Sequence, residues 1–291
     1  RQATTLDGNT VTNVSGGVAV GIGISTNLYG NSGTYASQTI TLTGNSVSGV
    51  RGPQASAAGI AVGNFVEDGV QTQTLVLTDN EVRSVSGDGI RLSNQTSNVG
   101  AQVNQAVTVG SSGAGNLVSG AGREGIVLSN VADGGVIRQS GGVVGNQVLY
   151  NQGTGLVSTL EARTGDPSVV LQTLGVDANR LDGNGVGLGF AVAAQGNSAN
   201  YGARGILLMS SNTIQHNIGA GSFGVQGLFA LQIVDMSQGG NTITSNGLLR
   251  FVVYANAGVQ DVSLSNGVNG NTMNGANIVS AVGGATQIFV P

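Results

Sequence analysis

The sequence predicts an all-β solenoid of about nine coils, each made of three short strands that lie parallel to their copies in the next coil. Three observations predict it. First, an Asn-x-aliphatic step recurs at Asn9, Asn45, Asn80, Asn116, Asn146, Asn179, Asn212, Asn241 and Asn271, at intervals of 29 to 36 residues, as in stacked repeat architectures. Second, apolar and polar residues alternate between these anchors with the period of strands. Third, no window of eleven residues carries the i, i+3, i+4 spacing of an amphipathic helix.

The clearest unit spans residues 74–94. Leu75, Leu77 and Val82 fall on one alternating face, and Ile90 and Leu92 on another, so three strands of four to six residues are separated by corners. The corners are Asp79-Asn80, residues 86–89 and Ser93-Asn94, built from residue types that accept positive φ or bond their own backbone. Two residues after each anchor stands an aliphatic side chain, from Val11 through Val47, Val82 and Val118 to Met273. Burial of each such side chain contributes about 1.5 to 3 kcal/mol before chain entropy is subtracted. The position before the anchor is mostly glycine, which suggests crowding there.

Two further columns complete a three-sided coil. Gly59-Ile60, Gly89-Ile90 and Gly125-Ile126 each open a Gly-aliphatic-x-aliphatic-x-Asn segment, with Gly155-Leu156 a weaker fourth. Asn151, Asn184, Asn217 and Asn246 each follow an anchor by five residues. Corners stacked at about 4.8 Å bring identical amides together, and an amide both donates and accepts, so each Asn column is expected to bond along the axis.

Taken in order, residues 1–27 form the first coil, and 28–73 form the second with long loops at 27–37 and 51–58. The next two coils are the most regular, with a polar loop at 95–105 between them; later loops include the charged stretch 161–167 and the Asn/Ser/Gly/Ala stretch 193–203. No linker divides residues 1–291, so the chain reads as a single domain. There is no initiator Met and no apolar run fit for a signal peptide or a membrane span. Residues 286–291 look like the first strand of a further coil, so the chain is read as an excerpt of a longer repeat protein.

Glycine supplies 51 of 291 residues, charged residues only 8 %, and cysteine, tryptophan and lysine are absent. With ten dispersed arginines and a net charge of −4, nucleic acid is not an expected partner, nor is a membrane except through parts outside this segment. The missing cysteine suits an extracellular or bacterial cell-surface chain stabilised by ladders and not by disulfides.

The Asn-x-Val step followed by Gly-Ile-x-Leu-x-Asn resembles the repeat of right-handed parallel β-helix proteins, which include pectate lyases, polygalacturonases, phage tailspikes and autotransporter passengers. The resemblance runs from about Thr4 to Val290. The wealth of Gly, Asn, Ser and Thr is most similar to surface adhesins of the autotransporter passenger type, although their coils are often shorter. The enzymes of this group imply a calcium-binding acidic cluster beside a basic residue, or aspartates with a His motif. One His and no Asp-Asp pair stand against both.

The sharpest candidate for chemistry is the pair Asp88 and Glu124, which both precede a Gly-Ile step and should stack on adjacent coils. Two close carboxylates can share a proton and divide acid and base roles. With Arg91 and Arg123 in register, the plainer alternative is a solvated charge ladder. His216 stands at a corner, and Glu67-Asp68 and Asp166-Pro167 are loop carboxylates for which calcium is the weaker reading. Gly21-Ile22-Gly23 and residues 183–187 resemble phosphate loops only superficially, since no helix follows to supply an anion-binding terminus.

The expectation is a non-enzymatic extracellular β-helix of a bacterial surface adhesin or fibre, needing no cofactor or metal. It would bind glycans, a host or neighbouring cell surface, or its own copies, through loops near 28–37, 95–105 and 193–203. The alternative is a polysaccharide lyase or glycoside hydrolase working in a groove along the helix.

Overall fold

Strict alternation in the repeats produces three parallel sheets, with no helix among the described residues. The computed structural model describes residues 1–30, 33–163, 167–195, 201–226, 229–244, 246–253, 259–263, 271–274, 278–282 and 286–290. In residues 70–96 the chain runs through Val70–Thr78, Glu81–Arg83 and Asp88–Thr96, one strand for each sheet. The three strands pair with their copies in the coils before and after, always in parallel. The first sheet has ten strands, from Gln2–Asp7 to Thr286–Val290, and the other two have nine each. No helix among the described residues is long and apolar enough to cross a membrane.

Two expectations need correction. The solenoid makes about seven turns, slightly fewer than nine; past residue 244 the three sheets continue, but most of the segments joining their strands lie outside the described residues. The strands are also not uniformly short. Those of the second sheet have 3 residues and those of the outer two commonly 9, because alternation continues through polar residues that a search for apolar ones passes over.

Val47, Val82, Val118, Val148, Leu181, Ile214 and Ile243 are all buried on the second sheet, and Val11 packs against the same core at its end. The side chain of Met273 lies outside the described residues. Opposite this column sit Gly21, Gly59, Gly89 and Gly125. A Cβ on Gly89 would lie 2.2 Å from Val118 Cγ1 and 2.6 Å from the Gly125 carbonyl oxygen. The Gly-Ile step is therefore glycine because the aliphatic column of the second sheet occupies the space.

In the first corner of most coils one residue is left-handed. That residue precedes the anchor: Gly8, Gly44, Asp79, Gly145, Ala178, Ser211 and Gly240 have φ between 54° and 72°. A Cβ on Gly8 would meet nothing within 4 Å, so glycine is favoured there by the left-handed backbone, whereas a Cβ on Gly115 would lie 1.8 Å from the Gly145 carbonyl oxygen and one on Gly145 2.3 Å from the Ser111 carbonyl oxygen, so the expected crowding holds at those two. The second corner repeats the device four residues after each anchor, at Asn13, Gly49, Ser84, Gly120, Tyr150, Gly183 and His216.

Candidate functional site

Each anchor amide does two jobs. Asn80 donates from its main-chain N–H and from Nδ2 to Asn116 Oδ1, at 3.0 and 2.9 Å. Asn116 repeats the pattern toward Asn146, and its Nδ2 also reaches the Leu77 carbonyl at 2.9 Å. The same bonds link Asn9 to Asn45 and run on through Asn179, Asn212 and Asn241 to Asn271. A second ladder joins Asn151, Asn184, Asn217 and Asn246.

A third ladder escaped the sequence reading. In the first sheet, Gln2, Gln38, Gln73, Gln105, Gln139 and Gln172 stack in register, and the column resumes at Gln232, Gln260 and Gln287 after Gly205. From Gln38 to Gln172 these side chains point inward and bond one another along the axis. Asn64, Asn94 and Asn130 of the third sheet bond to them. Gly205 interrupts the column because a Cβ there would lie 2.4 Å from Phe190 Cζ. One rung on from Phe190, the Phe223 and Phe251 rings stack at 4.9 Å and continue the core. The missed signal was a Gln recurring at the anchor interval.

Asp88 and Glu124 do stand on adjacent coils, with the Glu124 N–H 3.4 Å from Asp88 Oδ1, but their carboxylates turn to different partners. Asp88 is only 3 % exposed; Arg91 Nε donates to it at 2.6 Å, and Arg123 lies 3.9 Å away. Arg91 also reaches the carbonyls of Ala55 and Ala57. Glu124 accepts from the main-chain N–H of Thr154. A buried carboxylate tied to arginine and a carboxylate clamped on a main-chain N–H stand in place of the solvated charge ladder.

His216 Nδ1 lies 3.0 Å from Asp182 Oδ1, while Arg180 and Gln215 donate to Asp182 Oδ2 at 2.6 and 3.0 Å. Burial alone would push the Asp182 carboxyl upward, but the hydrogen bonds from Gln215, Arg180 and His216 outweigh it and hold the carboxyl below its ordinary value. The unfolded chain then takes up the proton more readily, so this contribution to stability is present above about pH 4 and lost as pH falls through the folded value. Asp182→Asn is expected to flatten the acid limb of stability against pH, read from urea midpoints between pH 2 and 6. An unchanged limb would remove Asp182 from that role.

The loops expected to bind are shorter than the sequence suggested. Residues 95–96 and 102–105 are strand, as are 28, 35–37, 193–194 and 201–203. Residues 31–32 and 196–200 lie outside the described residues, as does Asp166. All three loops occupy the corner that joins the third sheet to the first. Asp68, at the same corner, accepts from the Gly69 N–H at 2.7 Å. Among the described residues no three His, Asp or Glu side chains come together as metal ligands.

A groove of about 580 Å³ lies on the outer side of the first sheet. Thr72, Asn104, Arg138, Leu171 and Arg204 form one wall in successive rungs, and Thr74, Ala106, Ser140, Thr173 and Ile206 form the other. No carboxylate lines it. These features define the class as parallel β-solenoid repeat proteins. Comparison with known proteins finds no matching family, no matching curated protein and no matching solved structure.

Proposed function

We propose that this chain is an extracellular structural or adhesive segment of a bacterial surface protein or fibre, meeting glycans, a host or neighbouring cell surface, or copies of itself through its outer faces. The winding is read as right-handed, since parallel strands joined by crossovers take that hand in about 98 % of cases. One observation carries the reading: the anchor ladder bonds coil to coil from Asn9 to Asn271. A rod reinforced along its axis suits a stalk that holds a surface in place.

The disposition of charge supports it. Asp88, Glu124 and Asp182 each bind a local structural partner, and no acid faces the groove. A lyase or hydrolase would instead need a carboxylate, or a carboxylate with a base, pointing into a groove.

The purified chain is to be incubated with soluble polysaccharides and imaged by electron microscopy. The expected result is no shortening of any polysaccharide, with Asp88→Asn and Glu124→Gln behaving as the parent. Particles much longer than the ~43 Å spanned by ten stacked strands would favour self-association among the modes of contact. Polysaccharide shortening that either substitution abolishes would overturn the reading in favour of the enzyme.

A further inference from the structure

We propose that the groove on the first sheet binds a linear acidic polysaccharide along the solenoid axis, with its anionic groups held by Arg138 and Arg204. The proposal rests on the adhesive reading above and names its ligand class.

Among the described residues, Arg83, Arg91, Arg123, Arg163 and Arg180 have a carboxylate partner. Arg138 and Arg204 have no side-chain hydrogen bond or ion pair among the described residues. Both are exposed, and both stand in the groove. A surface with a net charge of −4 thus turns two unpaired guanidinium groups into the same concavity. On that side of the sheet Asp235 stands one rung over and two residues along from Ile206, and Asp261 two rungs past it, so by register both acids lie beyond the opposite wall. Planar guanidinium groups bind carboxylate or sulfate through paired N–H donors.

The spacing selects among anions. Arg138 pairs with Leu171, and Leu171 with Arg204, so the cations are two rungs apart, or about 9.6 Å along the axis. That is the order of a disaccharide repeat in an extended glycan, so a polymer with an anionic group on every second sugar would meet both at once. Leu171 between them offers an apolar patch to a sugar ring, while Thr173, Ser140 and Asn104 supply hydroxyl and amide partners for sugar hydroxyls. Nucleic acid carries one phosphate per nucleotide and would find only two cations along five rungs, which gives little counterion release.

The test is equilibrium binding of the full chain to hyaluronan oligosaccharides, which carry a carboxylate on alternate sugars, with chondroitin sulfate as the sulfated probe and dextran as the neutral one. Arg138→Gln and Arg204→Gln are each expected to weaken binding about tenfold, the scale of one charge-assisted hydrogen bond. Arg51→Gln, off the groove, should bind as the parent, and dextran should not bind. Added salt should weaken the parent more than the double variant. Preference for hyaluronan over chondroitin sulfate assigns the site to carboxylate, and the reverse assigns it to sulfate. Arginine-independent binding, equal binding of dextran, or no binding of either acidic polymer would overturn the proposal and leave the adhesive reading standing. Shortening of the oligosaccharides would instead overturn that reading.

Discussion

Asn116→Ala is expected to lower the unfolding free energy by about 3 to 5 kcal/mol, measured by urea denaturation. The Asn80 main-chain N–H has Asn116 Oδ1 as its acceptor and would be left buried without one, at a cost of about 1 to 3 kcal/mol. The bonds from Asn80 Nδ2 to Asn116, and from Asn116 Nδ2 to Asn146 and Leu77, would also go, at about 0.5 to 1.5 kcal/mol each. Asn80 Nδ2 keeps the Leu42 and Thr78 carbonyls, and Leu77 keeps the Gly110 N–H, so the total stays near the lower end of the sum. Asn116→Asp separates the roles of the two amide atoms. It keeps an acceptor for Asn80 but sets a second oxygen against the Leu77 carbonyl and Asn146 Oδ1. The Asp variant should therefore be destabilised at neutral pH and partly recover in acid, where its carboxyl can donate. A loss below about 1 kcal/mol for the Ala variant would make the ladder a passenger of the fold.

Gly89→Val should destabilise the solenoid by about 3 kcal/mol, through overpacking and not through lost backbone freedom. The added Cβ would meet Val118 Cγ1, which can yield, and the Gly125 carbonyl, which is held in the strand stack. Val118→Ala in the same chain is accordingly expected to recover only part of the loss. Gly44→Ala is the contrast. Its φ is +62° and its nearest neighbour would be 3.6 Å away, so it should cost only the left-handed penalty of about 1 to 2 kcal/mol. Equal losses at the two glycines would show that the valine column does not dictate the Gly-Ile step.

The glycine contrast shows how sequence pattern and physical cause come apart. Gly44 and Gly89 each belong to a recurring glycine column, yet one is required by its own dihedral angles and the other by a side chain 29 residues downstream. The Asp88 and Glu124 register was legible because both precede the same step. The arginines beside Asp88 were legible too, but its burial and the Thr154 N–H that Glu124 accepts from the next coil were not. The glutamine ladder was hidden by the habit of reading polar residues as outward. Its members recur at nearly the anchor interval except where Gly205 interrupts them, but an interior amide is tolerable only when a neighbour from another coil satisfies it.

The sequence by itself determined a parallel three-sided coil with stacked asparagine corners, because alternation of period two and identical residues at a steady interval admit few other arrangements. It determined the aliphatic column of the second sheet for the same reason. Tertiary structure decided which polar residues face inward, which carboxylates are buried, and that Arg138 and Arg204 share one groove. Alternation separates two faces of a strand without saying which is interior when both carry polar groups. Neighbours in the stack, moreover, lie some thirty residues apart in the chain, so their contacts exist only once the register is set.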